Sequence, residues 1–298
     1  MLLSRVAEAL CWAGRYLERV ETTARVVCSH TELYLDLPKA SGLTWEPLLA
    51  VNDSIDLFDE RYADRSEEHV VAFLVTDEAN PGSLLNSLAA ARENMRTTRA
   101  VFPRGAWELL NDVYLRAAAD ASDAIGRRNR LPWLHEMIGD CQQLTGLLAG
   151  SMTDDEAYAF FRIGRHLERA DMTTRVLGVR AGMLGDGPPT ISPFADVLWL
   201  AVLKAVGAEH AYRRQGSPRV KGADVLRFLL QDPGFPRSVD HCLGIVAGEV
   251  RQLPSPEPVV AACLTAQFLV DDARVKALAW DGLTEYVDEV QQAIHEVH

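Results

Sequence analysis

The chain has 298 residues, of which 48% are hydrophobic and 24% are charged, and it carries a formal net charge of −12. This composition is typical of a globular protein with a sizeable core and argues against disorder. The negative net charge argues against non-specific binding to nucleic acid or anionic lipid, because such binding needs a basic surface.

Apolar residues recur with a helical period through almost the whole chain. No segment alternates with a period of two for long enough to predict a sheet. We therefore expect an all-α protein, a helical bundle of about ten to twelve helices.

The first predicted helix has an apolar face and a charged face. The charged face includes Arg15, Glu18, Thr22 and Arg25, which lie three, four and seven positions apart. Ion pairs at these spacings contribute only a few tenths of a kcal/mol when they are exposed. For a single helix, a solvated face is therefore the ordinary interpretation.

Capping patterns predict the starts of several later helices. Ser66 stands before two glutamates, and Thr153 begins a stretch with the spacing of a capping box. Asn80-Pro81 and Ser192-Pro193 each place a capping side chain before a proline. We expect helices to start at these four places.

The predicted helix from Ser83 to Phe102 carries arginines in line with its apolar stripe. This stripe of Leu85, Leu88 and Met95 continues as Arg92, Arg96 and Arg99. An uncompensated buried charge costs several kcal/mol, so arginines that face the core need carboxylates or an anionic ligand.

The charged segment of the first helix occurs twice. Gly14 to Arg19 returns as Gly164 to Arg169, and Phe73 to Asp77 returns as Phe228 to Asp232. Ordered anchors with a slowly growing offset predict a tandem duplication. We expect one domain over 1–298, with halves of about 1–150 and 151–298 that share a core and pack about a pseudo-two-fold axis.

The repeated carboxylates are candidate partners for the arginines. Our hypothesis is that the two repeated helices meet the arginine helix in a central polar network. Its members would be Arg15, Glu18, Arg19, Glu21, Arg165, Glu168, Arg169 and Asp171. The alternative is a salt-bridge network that only fixes the register of the helices.

The two halves differ in their arginines. A shift of 155 positions places Ala247, Arg251 and Pro254 opposite the three arginines of the first half, and Arg237 replaces Gly82. An anionic ligand, phosphate or carboxylate, would therefore bind at one of two places. These are a pocket near Arg92, Arg96 and Arg99, or the helix start at Arg237 and Ser238.

Other chemistries lack their usual motifs. The chain has no Glu-x-x-His, no Gly-x-Ser-x-Gly, no Walker loop and no dinucleotide fingerprint, so we predict no metal site and no cofactor. The five cysteines contain no Cys-x-x-Cys pair, which predicts reduced thiols in the cytoplasm. Arg5 and Glu8 predict that no secretory signal is present, and the stretch from Val259 to Val270 is too short to span a bilayer.

The sequence resembles, over essentially its full length, the bacterial alpha-E proteins, which are helical domains named for a Glu-Arg motif. Cys11 and Met95 stand where an aromatic residue and an alanine are expected. The segments that carry the resemblance are Ser4 to Glu8 with Trp12, Gly14 to Glu21, Ala90 to Asn94 with Arg96, Gly164 to Thr174, and Phe228 to Val239.

The resemblance implies partners more than it implies a reaction. Alpha-E proteins are companions of circularly permuted ATP-grasp ligases and of transglutaminase-like proteins. ATP-grasp enzymes activate a carboxylate as an acyl phosphate and form an amide or peptide bond. The chain is therefore expected to be accessory to such a ligase and not an enzyme alone.

Three hypotheses follow from these observations. The leading one is a non-catalytic or co-catalytic subunit of an amide-ligase system that binds an anionic peptide or phosphate group through its arginines. The second is an enzyme with Glu18 or Glu168 as a general base. The third is a structural scaffold in which every arginine pairs internally.

Overall fold

A computed structural model describes residues 2–38, 41–52, 54–184, 194–216 and 219–298. The described residues form α-helices with one 3₁₀ helix and contain no β-strand, which confirms the all-α prediction. In chain order these elements are α1 (Ser4–Asp36), the 3₁₀ helix (Glu46–Asn52), α2 (Ile55–Arg61), α3 (Glu67–Val75), α4 (Leu84–Thr97), α5 (Arg104–Ile125), α6 (Arg127–Ser151), α7 (Glu156–Leu184), α8 (Ala195–Ala205), α9 (Glu209–Arg214), α10 (Gly222–Gln231), α11 (Val239–Val250), α12 (Glu257–Asp271), α13 (Val275–Leu278) and α14 (Leu283–His295).

The number of helices is slightly larger than the predicted ten to twelve. Fourteen α-helices lie in the described ranges. Two of them, α9 and α13, have only six and four residues. Single turns of this length carry too little periodicity to be recognised from the sequence.

The caps agree with the predictions at one start and differ at two. Ser66 caps α3, where its hydroxyl accepts a hydrogen bond from the backbone N–H of His69. At α7 the cap is Asp155 and not Thr153, because Asp155 Oδ1 accepts from the N–H of Ala157 at 2.9 Å. Helix α7 therefore begins at Glu156, three residues later than Thr153.

Helix α4 begins after Ser83, as its predicted range from Ser83 implied, and not at Asn80-Pro81. Ser83 caps this helix and accepts from the N–H of Asn86 at 3.3 Å. Asn80 instead closes the preceding turn, where its Oδ1 accepts from the N–H of Gly82 at 2.9 Å. The predicted start at Ser192-Pro193 lies outside the described residues.

Two long helices cross at the centre of the molecule. Helix α1 packs on α4, α6, α7 and α8, and α7 packs on α1, α11, α14 and the 3₁₀ helix. The buried apolar side chains form one continuous core that extends from Leu10 in α1 to Val297 after α14. Most of the other helices are therefore positioned by α1, by α7 or by a helix that packs on them.

Glycines let the two central helices approach closely. A Cβ atom at Gly14 would overlap the carbonyl oxygen of Phe161, and a Cβ atom at Gly164 would overlap that of Cys11. Only glycine leaves the backbones room to meet at these two positions. The charged residues that follow each glycine are thereby brought next to the opposite helix.

The three arginines of the predicted helix from Ser83 to Phe102 do not face the core, so that prediction is wrong. The buried apolar positions of α4 are Leu84, Leu88, Ala91 and Met95, which follow a four-three-four spacing. The arginines lie one residue further along at each turn, about 100° around the helix. Arg92 is consequently half-buried, and Arg96 and Arg99 are exposed.

No helix within the described ranges has both the length and the apolar character that crossing a bilayer requires.

Candidate functional site

Glu18 lies at the crossing of α1 and α7 and is 1% exposed. Its Oε2 accepts hydrogen bonds from Nε of Arg165 at 3.1 Å and from Nη2 of Arg169 at 2.7 Å. Its Oε1 accepts from Nη1 of Arg237 at 2.5 Å. All three arginines lie outside α1, so this carboxylate is neutralised from the opposite side of the crossing.

Glu168 on α7 is paired with arginines of α1, which reverses the arrangement at Glu18. Its Oε2 accepts from Nε of Arg15 at 2.8 Å, and its Oε1 accepts from Nε of Arg19 at 2.5 Å. The side chain of Glu168 is fully buried. Each helix therefore contributes a glutamate that is held by the arginines of the other helix.

Two further carboxylates flank this centre. Glu21 accepts from Nη2 of Arg25 at 2.9 Å and from Nη2 of Arg237 at 2.7 Å, and Asp171 accepts from Nε of Arg175 at 2.8 Å. We call the whole set the ER network. It consists of Arg15, Glu18, Arg19, Glu21, Arg25, Arg165, Glu168, Arg169, Asp171, Arg175 and Arg237.

Both central glutamates are held in the ionised form. Burial alone would raise the pKa of Glu18, but the attraction of Arg169, Arg237 and Arg165 outweighs it and holds this pKa well below its usual range. Burial likewise opposes ionisation of Glu168, and Arg19 with Arg15 lowers its pKa below the ordinary value. A buried carboxylate with a lowered pKa is a poor proton acceptor at neutral pH.

The ER network has more arginines than carboxylates. Seven guanidinium groups surround the four carboxylates, an excess of three positive charges within the set. Burial lowers the pKa of Arg165, and although Glu18 opposes this, repulsion from Arg169 adds to it. Within the described ranges, the buried Nε of Arg169 has no hydrogen-bond partner.

A histidine beside the network is neutral. Burial lowers the pKa of His166 well below its usual range, and the neighbouring Arg169 and Arg165 lower it further. Its neutrality limits the positive charge at the crossing, since a protonated imidazole would add another cation there.

The three arginines predicted to bind an anion in or just after α4 do not join the ER network. Arg92 donates from Nε to Asn111 Oδ1 at 2.9 Å and lies over the rings of Trp107 and Tyr114. The guanidinium group of Arg92 is thus bound by residues of α5, where cation–π contacts stabilise its charge.

Arg96 and Arg99 lie on the surface. Arg96 pairs with Glu93 one turn away at 2.6 Å, and each side chain of that pair is 54% exposed. Arg96 also borders a groove of about 590 Å³ between the start of α1 and the end of α4, with Arg5, Glu8 and Trp12 on its other side. The structure therefore separates these two arginines from the crossing.

At the helix start of Arg237 and Ser238, the polar side chains are also bound by other residues of the protein. Both terminal nitrogens of Arg237 bind Glu18 and Glu21. The hydroxyl of Ser238 donates to the carbonyl oxygen of Asp232 and accepts from the N–H of His241, which caps α11. Sequence reasoning identified Arg237 but assigned it to a ligand, because its partners lie more than 200 positions away.

Sequence reasoning missed a group of three metal-ligand types on another part of α1. Cys28, Glu32 and His135 lie with their ligand atoms within 4.8 Å of one another. The available signal was the four-residue spacing of Cys28 and Glu32 on one helix face. The third member comes from α6 and has no local spacing relation to the other two.

A family model described as "a predicted alpha-helical domain with a conserved ER motif" matches residues 2–298. Similar chains include uncharacterized proteins of Mycobacterium bovis and of Mycobacterium tuberculosis, each 25% identical over 319 residues. These alignments cover 98% of this chain but only 35% of each relative. No solved structure matches the chain.

Proposed function

Because the chain belongs to the Alpha-E family, we propose that it is a non-catalytic or co-catalytic partner subunit of an ATP-grasp amide or peptide ligase. The observation that carries this proposal is the ER network. Its two central carboxylates are buried and paired with arginines, which makes them unsuited to catalysis. Its arginines outnumber its carboxylates. Such a site is suited to binding an anionic group and not to transferring protons.

The length of the relatives supports a role in association with another polypeptide. The chain spans about a third of the length of the curated relatives it matches, which places the same kind of unit within a much longer protein. The ATP-grasp ligase is the partner that the family resemblance implies, and a transglutaminase-like protein is the second.

The excess charge supports the binding of a carboxylate or phosphate group at the rim of the ER network. Arg19 and Arg165 are each 21% exposed, so they can be reached from solvent. An anion there would compensate positive charge that the four carboxylates leave unbalanced. This rim replaces the place near Arg92, Arg96 and Arg99 as the proposed anion site.

The competing functions have less support. A general base at Glu18 or Glu168 would need solvent or substrate to reach the carboxylate, yet these side chains are buried and have lowered pKa values. A pure scaffold agrees with the internal pairing of all seven arginines. It does not account for the excess of three positive charges, and it predicts that no anion binds.

We also infer that the halves arose by duplication and pack about a pseudo-two-fold axis. Helix α1 packs on α4 and α6 as α7 packs on α11 and α14. The contact between α1 and α8 has its counterpart between α7 and the 3₁₀ helix. The repeated sequence anchors relate α1 to α7 and α3 to α10, which also supports the inference.

The proposal is tested by purifying the tagged protein from its own host and identifying the retained proteins by mass spectrometry. We expect an ATP-grasp ligase with the wild-type chain. If an anionic group of the partner binds the rim, Arg165→Gln should lower the recovered amount. Arg104→Gln, at a side chain that is 90% exposed, is the matched control and should leave recovery unchanged. A folded wild-type protein that retains no ligase would overturn the proposal.

A further inference from the structure

Cys28 and Glu32 lie one turn apart on α1, and His135 reaches them from α6. The Sγ atom of Cys28 is 3.4 Å from Nε2 of His135. The thiol sulfur, a carboxylate oxygen of Glu32 and the imidazole nitrogen all lie within 4.8 Å of one another. Two helices thus hold three different ligand types at one point.

These distances suit a single zinc ion. Zinc binds thiolate at about 2.3 Å and imidazole at about 2.0–2.1 Å, so tetrahedral angles place the sulfur and nitrogen about 3.6 Å apart. The observed 3.4 Å is close to this separation. Thiolate, imidazole and carboxylate are also the three ligands that zinc takes in proteins, whereas magnesium and calcium favour oxygen alone.

The three side chains face a cavity that an ion can enter. The cavity has a volume of about 530 Å³, and Arg25, Lys204 and His210 also line it. Cys28 is buried, Glu32 is half-buried and His135 is exposed, so the group extends from the core to the surface. A zinc ion held by three protein ligands keeps a fourth position for water or another ligand.

Glu32 also pairs with a lysine. Glu32 Oε2 accepts from Nζ of Lys204 at 2.9 Å, and this pairing raises the pKa of the lysine. Burial raises the pKa of Cys28 to about 11, so its thiol is protonated until a metal displaces the proton. The positive charge of Lys204 next to the ligands opposes a divalent cation.

We propose that Cys28, Glu32 and His135 form a zinc-binding site, independent of the ER network and of any ligase partner. Two charged ligands and one neutral ligand balance the double charge of the ion. Binding would join α1 to α6 and would release Lys204 from Glu32.

The test is titration of the metal-free full-length protein with zinc chloride by calorimetry, supported by measurement of the zinc that co-purifies. We expect one zinc ion per chain. Cobalt(II) in place of zinc should give a sulfur-to-cobalt charge-transfer band in the near ultraviolet, because Cys28 supplies a thiolate. Absence of binding to the folded protein would overturn the proposal.

Variants separate this site from adventitious binding. Cys28→Ser and His135→Gln should each weaken zinc binding by at least about tenfold. Cys263→Ser, at a buried cysteine elsewhere, and His295→Gln, at an exposed histidine, are the matched controls and should bind as the wild type does. Lys204→Met should tighten binding, since it removes the competing cation. Equal binding by the wild type, Cys28→Ser and His135→Gln would reject the site.

Discussion

Gly14 on α1 and Gly164 on α7 meet across the central crossing, where a side chain on either glycine would overlap a carbonyl oxygen of the opposite helix. The overlapping atoms belong to the backbone, so no rotamer change can relieve the contact. This close approach sets the separation at which the glutamate of each helix reaches the arginines of the other.

Gly164→Ala should therefore destabilise the protein. The added methyl group must push α1 and α7 apart, and overpacking of this kind costs about 1–3 kcal/mol. The free energy of unfolding in urea measures the effect. Gly146→Ala in α6 is the matched control, because its new Cβ meets open space. That control should gain about 0.5–1 kcal/mol from helix propensity. Equal effects of the two substitutions would contradict the close approach.

Glu168→Gln should lower the free energy of unfolding by about 3–5 kcal/mol, because it leaves Arg15 and Arg19 without their buried counter-charge. Glu8→Gln, at an exposed glutamate of α1, should change the stability by less than about 0.5 kcal/mol.

The wild type should also lose stability as the pH falls below about 4.5, where the carboxylate of Glu168 takes up a proton in the unfolded chain and not in the folded one. The Glu168→Gln variant should lose less over this range.

His30 should make the stability of the fold depend on pH in a range above the one in which Glu168 acts. Burial lowers the pKa of His30 from 6.5 to about 4, so between these pH values the imidazole is neutral in the folded chain and takes up a proton on unfolding. The contribution of the neutral imidazole to the free energy of unfolding is fully present above pH 6.5 and declines as the pH falls towards 4. His30→Gln should flatten the dependence of the unfolding free energy on pH in this window. His295→Gln, at an exposed histidine, should leave the slope unchanged, and an unaltered slope in both variants would refute the assignment.

Inorganic phosphate should bind the rim of the ER network. We expect phosphate to raise the melting temperature more than sodium chloride does at equal ionic strength, because it compensates the excess charge near Arg19 and Arg165. Arg165→Gln should remove most of this difference. Arg104→Gln on the surface of α5 should preserve it. If the two salts act equally on the wild type, the rim does not bind phosphate, and the scaffold alternative gains support.

Much of the helical architecture was predictable because it depends on local patterns. The periodicity of apolar residues predicted helices throughout, and Ser66 marked the start of α3 correctly. Thr153 and Asn80 were misassigned because several residues near each helix start could cap it. The backbone geometry identifies Asp155 in place of Thr153, and it decides between Asn80 and Ser83 in favour of Ser83, where the predicted helix began.

Eight of the eleven residues of the ER network were predicted from their repetition, but most of their pairings were not. The repeat identified Glu18, Glu168 and their neighbouring arginines. The pairing of each glutamate with the other helix depends on a crossing that no local spacing contains. Arg237 was identified, yet its partners Glu18 and Glu21 are more than 200 positions away. Arg92 was misplaced because a shift of one residue turns a helical position by about 100°.

The distance of Arg237 from Glu18 along the chain has a consequence for synthesis. The buried carboxylate on α1 is synthesised 219 residues before its third arginine. Until then the nascent first half holds a charged centre that has to remain hydrated, because a buried, incompletely compensated carboxylate is costly. The crossing of α1 and α7 can therefore be completed only after Arg237 has left the ribosome, and a truncated first half should not fold to the arrangement that it has when the second half is present.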